Sequence, residues 1–228
     1  MMTTASASKL RILDSPDFVA RLAGVLLLGM AVAAGFAELG VRARLAVPGD
    51  AAATAARALA APGLLRAGFV GYLVAFLLDV PVALLFYGLL EPTAKTVAAV
   101  CASFRLVYAA LALATLHDFL GGRLDLFERG FKVALLLFGA HLVLLGALLV
   151  QSRLVPKTLG VLVGIAGASY LADPLVLHAS RSLHSAVAPY LAAAASFEIL
   201  LAVWLLVRGV HARHRQEHAA RASSCRRT

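Results

Sequence analysis

The chain has 228 residues, of which 61% are hydrophobic and 14% charged, and its mean hydropathy is +0.88. Ordinary soluble domains hold about 45–50% apolar and 25% charged residues, so this composition excludes one and calls for a membrane protein. The formal net charge of +9 resides mostly in short segments between apolar runs and in the C-terminal tail, where it reads as topology signals and headgroup contacts rather than a nucleic-acid surface.

Residues 1–17 are polar and form a short N-terminal segment. Residues 18–39 are the first apolar run, with Arg21 near its start and Glu38 at its end. The run exceeds the 7–15 residues of a signal-peptide core, so it is expected to be a first transmembrane helix. The connection that follows holds Pro48-Gly49-Asp50, with Asp50 placed to cap a short extra-membrane helix over the alanine-rich stretch 51–61. Pro62-Gly63 is expected to stop it.

The second span is expected over 66–90, with Asp79 at its middle and Pro81 bending it just beyond. Glu91-Pro92 makes a tight turn into the third span, 93–116. There Arg105 is the sole charge in a run of Val, Ala, Leu and Phe, and Cys101, Arg105, Tyr108, Ala112 and Thr115 share one helical face. An arginine at that depth costs about 3 kcal/mol or more unless it finds a partner inside the protein.

The fourth span, 130–150, has Lys132 near its start and His141 at its centre. The fifth, 158–177, carries Gly160, Gly164 and Gly167, a smooth strip on which a neighbour can approach closely. The strip is read as packing through Gly164 and Gly167. Tyr170 and Asp173 near its far end line an entrance or cap a helix. The sixth span, 189–207, has Glu198 in its middle, and a basic tail, 208–228, follows.

The fold class expected is therefore all-α, a polytopic bundle of six transmembrane helices with a short helix between the first and second. Basic residues split 12 to 8 in favour of the side that holds both ends, which puts both termini in the cytoplasm and the chain in the bacterial cytoplasmic membrane.

Asp79, Arg105, His141 and Glu198 fall at about mid-depth of four different spans. Asp79 lies 12 residues before Glu91 and Arg105 lies 13 after Pro92. Antiparallel neighbours joined by a tight turn would bring them face to face, so a buried Asp79–Arg105 ion pair is expected. Glu198 then needs a proton, a share of Arg105, or His141, and Tyr108 and Tyr72 can donate hydrogen bonds. The candidate ligand-binding set is Asp79, Arg105, Tyr108, His141 and Glu198, with Tyr170 and Asp173 as a possible entrance. No catalytic set, metal centre or cofactor is implied, because no Gly-rich phosphate loop, haem-ligand pair or zinc-ligand spacing is present. Cys101 and Cys225 imply no disulfide framework. His211, His214 and His218 read as part of a solvated tail.

Phe104-Arg105-Leu106-Val107-Tyr108, Phe138-Gly139-Ala140-His141-Leu142, Leu154-Val155-Pro156-Lys157-Thr158-Leu159-Gly160-Val161-Leu162 and Tyr170-Leu171-Ala172-Asp173 resemble the bacterial membrane family called domain of unknown function 4386. The start at Ala20-Arg21-Leu22-Ala23-Gly24 and the stretch from Pro48 to Arg66 are similar too. The resemblance spans about residues 16–207 and implies a multi-pass membrane protein, without an activity to carry over. Function therefore rests on the polar core. A small-molecule or proton-coupled carrier or ligand-binding protein is the first reading. An intramembrane enzyme on a lipid or quinone-like substrate, using His141 or Glu198 as acid or base, is the second. A non-catalytic subunit with a structural polar core is the third. Partners expected are the lipid bilayer and a small-molecule ligand, and no nucleic acid.

Overall fold

A computed structural model describes residues 15–210, and all the regular structure in this part of the chain is helical. The first helix, α1, covers Pro16–Gly35 and continues without a break through a π-helical turn at Phe36–Arg42 to Leu45. Pro16 suits the first turn because the amide it lacks would have had no partner there.

A turn at Gly49, where φ is +78°, leads into α2, Ala51–Ala60. Asp50 caps α2 by accepting from the Ala53 amide at 2.8 Å, as expected. Thr54 ties the connection down, its hydroxyl accepting from the Val47 amide at 2.8 Å. Pro62 ends α2 as expected, the residue before it leaving the helical region (φ −122°, ψ 60° at Ala61), and it also starts the next helix. It stands at the first position of α3, Pro62–Leu120, again where a missing amide costs nothing.

At about 1.5 Å per residue the 59 residues of α3 would reach roughly 90 Å if straight, three times a bilayer's hydrocarbon core. They are not straight. Ala94 has non-helical dihedrals (φ −156°, ψ 89°), which divides α3 into two arms. The break falls two residues past Pro92, close to the tight turn expected at Glu91-Pro92. Pro81, expected to bend the first arm, leaves helical dihedrals in place.

Gly121 and Gly122 (φ +74°) turn the chain into α4, Leu124–Ser152. The segment 117–129, expected as a polar connection, is thus mostly helical. Arg153, in the left-handed region at φ 54°, ends α4. Then come α5, Lys157–Ala179, α6, Arg181–Ala195, and α7, Phe197–Arg208. The stretch 178–188, expected as a turn, holds only a short break at Ser180 before helix resumes. A second break at Ser196 interrupts the last span near its middle.

Five of these helices, Pro16–Leu45, Pro62–Leu120, Leu124–Ser152, Lys157–Ala179 and Ser182–Arg208, are long and apolar enough to cross a membrane. Their outward faces carry bare apolar side chains, among them Val32 and Leu39 (each 73% exposed), Leu175 and Val133. Only a lipid surround makes such a surface stable. Helix α4 is central and packs on α3 and α5. Helix α1 packs on α3 and α7, and α6 lies on α5. No extensive packing joins α6 to α1 among the described residues.

The tightest packing comes from glycines. A Cβ on Gly146 would stand 2.6 Å from the Gly160 carbonyl and from the Gly164 amide, and one on Gly167 would stand 2.6 Å from the Gly139 carbonyl. The α4 and α5 backbones therefore touch through Gly139 and Gly146 on one side and Gly160 and Gly167 on the other. A Cβ on Gly164 would meet nothing within 4 Å. The expectation that Gly164's missing side chain makes room for a neighbour is corrected: residues 160, 164 and 167 share one face and the Gly164 backbone lies against Gly146, but the direction its own Cβ would take is open.

Candidate functional site

The two arms of α3 carry the polar core. Arg105 Nη2 on the second arm lies 2.7 Å from Asp79 Oδ1 on the first, and both side chains are 1% exposed. The two residues are 105 − 79 = 26 positions apart, about 39 Å along a straight helix, so the break at Ala94 folds the arms back on each other. The expected pair is present. The contact is one of charge rather than an aligned hydrogen bond, since neither Asp79 oxygen receives a well-directed donor.

His141 on α4 supports Arg105 from the other side. Arg105 Nη1 donates to His141 Nε2 at 3.1 Å. A guanidinium has no acceptor, so Nε2 carries no proton and the imidazole proton is on Nδ1. That nitrogen donates to the Cys101 carbonyl at 2.9 Å. Arg105 also donates to Met30 Sδ at 3.5 Å and lies over the Phe138 ring, 5.4 Å from its centre. Thus α1, both arms of α3 and α4 meet at one guanidinium.

Glu198 is not paired with His141, whose two nitrogens are already engaged. It lies in the first turn of α7, just past the break at Ser196. It is near enough to Arg105 and Asp79 to interact with both through charge. Its Oε2 is buried and receives no hydrogen bond. Tyr108 and Tyr170 are in the same electrostatic neighbourhood.

A chamber of about 730 Å³ connects these groups. Asp79, Tyr108 and Glu198 line its inner part, with Met30, Phe76, Phe138 and Ala202. Arg105 and His141, each wholly buried, are behind that wall and not in it. Tyr170 and Asp173 also face the chamber, as well as a side pocket of about 270 Å³ shared with Lys132 and Ala192. Asp173 accepts from, or shares a proton with, His184 Nε2 at 2.9 Å.

The outer part of the chamber carries a charged rim that was not expected from the sequence. Arg42 pairs with Glu38 on its own helix and, through Nη1 at 3.1 Å, with Glu128 on α4. Lys132 Nζ holds the other oxygen of Glu128 at 2.7 Å. The Tyr72 hydroxyl donates to Glu38 Oε2 at 2.5 Å. The signal available was the Glu38/Arg42 spacing of four, which places opposite charges together on a helix. These residues sit in the π-helical turn, a local widening often found at working sites. Between rim and floor, Tyr72, Phe76, Tyr108, Phe131 and Phe138 form a continuous aromatic wall with ring centres 4.7–6.5 Å apart.

No cluster of three or more metal-ligating side chains occurs among the described residues. His211, His214 and His218 lie outside them.

Apolar helices of membrane-crossing length around a buried ion pair define a multi-pass integral membrane protein. Residues 22–122 and 122–209 match the family described as domain of unknown function (DUF4386), and the chain belongs to that family. It is also 35% identical over 143 residues to an uncharacterized protein of the archaeon Archaeoglobus fulgidus, a match covering 61% of this chain and 82% of the relative. No solved structure matches it significantly.

Proposed function

We propose that the chain is a six-span membrane carrier that takes a small molecule into a chamber whose floor is Asp79, Tyr108 and Glu198. In this reading the two arms of α3 are the second and third spans, α6 and α7 together are the sixth, and α2 lies outside the hydrocarbon core. Both termini are cytoplasmic, and the rim of Glu38, Arg42, Glu128 and Lys132 faces the other side. Arg105 and His141 belong to the site as the support that holds Asp79 in place. Tyr170 and Asp173 flank the way in.

The observation that carries the reading is the chamber itself, which is lined by two acidic residues, Asp79 and Glu198, in the middle of an apolar bundle. A polar core that served only as glue between helices would be filled. An enzyme using His141 as a base is disfavoured, because both of its nitrogens are engaged behind the wall. Intramembrane acids reached by a cavity fit transport or binding.

The test is access from each face. Ala31→Cys places a thiol in the chamber wall one residue from Met30, which touches Arg105. In a background lacking Cys101 and Cys225, a membrane-impermeant thiol reagent should label it in both right-side-out and inverted vesicles. Labelling from one face only would make this a binding protein and overturn the carrier. No labelling from either would refute the chamber.

A further inference from the structure

Resting on that reading, we propose that the chamber's ligand is an amphipathic organic cation whose amine or ammonium head seats between Asp79 and Glu198. Asp79 Oδ2 and Glu198 Oε2 are buried without a hydrogen bond, whereas Asp79 Oδ1 is held by Arg105 at 2.7 Å. Buried acceptors are almost always satisfied, so a chamber lined by both acids wants a group that brings donors or positive charge.

The charge balance has the same sign. His141 is neutral by its hydrogen bonds, Arg105 is matched by Asp79, and Glu198 is left over. Arg105 is outside the chamber's lining and its charge is matched by Asp79, which is in that lining, so its repulsion of an incoming cation is offset. The rim adds no competing excess, since Glu38 and Glu128 balance Arg42 and Lys132. The wall suits the same ligand. Phe76, Tyr108, Phe131 and Phe138 all line the chamber, and aromatic rings bury an apolar tail and favour a desolvated cation near them.

The probes are three molecules of one shape: 4-phenylbutylamine, 4-phenylbutanol and 4-phenylbutyrate, each added to the full-length protein in lipid nanodiscs. Affinity is read from the ligand-dependent shift in thermal unfolding. The amine should raise the transition and bind at least about tenfold more tightly than the alcohol, the difference one charge-assisted contact makes. The butyrate should bind worst. Glu198→Gln should bring the amine down to the level of the alcohol, whereas Glu91→Gln, at a residue that pairs with Lys95 outside the chamber, should leave its advantage intact. Equal binding of amine and alcohol, preference for the butyrate, or no binding by any of the three would overturn the cation assignment. Labelling of Ala31→Cys would show in each case that the chamber is still there. Loss of that labelling would instead bring down the chamber reading on which the assignment rests.

Discussion

Arg105 Nη1 and His141 Nε2 are 3.1 Å apart, and since only the arginine can donate, the histidine serves it as a fixed acceptor. His141→Leu removes that acceptor and leaves a buried guanidinium N–H unmatched. It should cost about 1–3 kcal/mol. His141→Gln can offer an amide oxygen and should recover part of the loss. Thermal unfolding in detergent measures both, and equal losses for Leu and Gln would show that acceptance by His141 contributes nothing.

The Asp79–Arg105 pair calls for a double-mutant cycle. Asp79→Leu and Arg105→Met each strand a charge at a site 1% exposed or less, and each should cost on the order of 3–5 kcal/mol. The double change removes both charges and should regain much of that stability. Additive losses in the thermal-unfolding cycle would mean that the contact carries no coupling energy.

Packing between α4 and α5 should be sensitive at Gly146 and Gly167 and tolerant at Gly164. Gly167→Val drives a side chain into the Gly139 carbonyl and the Val143 amide, both 2.6 Å from the new Cβ. Backbone cannot move aside as a side chain can, so the cost should exceed the about 1–3 kcal/mol usual for overpacking. Gly164→Ala places a methyl in open space and should leave the unfolding temperature nearly unchanged. A large drop for Gly164→Ala would contradict this register of α5 against α4.

Arg42 links α1 to α4 across the outer part of the chamber. Its partners are more than a third exposed, so Arg42→Gln should change stability by no more than about 1 kcal/mol. It should, however, speed reagent access to Ala31→Cys from the rim side. Unchanged labelling kinetics would show that the rim does not limit passage.

The two ends of the described chain meet, with the Val210 amide donating to Asp17 Oδ1 at 3.3 Å and Arg21 Nη1 to the Leu206 carbonyl at 3.2 Å. Tags at both termini should therefore report the same compartment, the cytoplasm if the charge bias holds. Tags on opposite sides would require an odd number of spans.

The amino-acid sequence by itself determined that the chain is helical and apolar enough for a membrane, and it located the Asp79–Arg105 pair. Both depend on quantities that are local along the chain. Long uncharged runs leave the backbone only itself to bond with, and two charges at matched distances from one turn must come level. The family resemblance, too, was carried by short runs of residues. Helix ends were less legible. Pro62 reads in isolation only as the end of one helix and in place is also the start of the next, because a proline at a first helical turn costs no hydrogen bond.

The tertiary structure alone decided which groups share the chamber. Whether Glu198 faces His141 or Asp79 depends on how α7 is rotated against α4 and α1, and no residue count along one helix sets that angle. The same holds for the rim. Glu38 and Glu128 are 90 positions apart in sequence, and only the packing of both α1 and α4 on α3 lets one arginine reach both. Gly164 shows the limit at its smallest scale. Three glycines looked like one strip, and the facing helix approaches the backbone of all three, yet its position leaves the direction of a Gly164 side chain open.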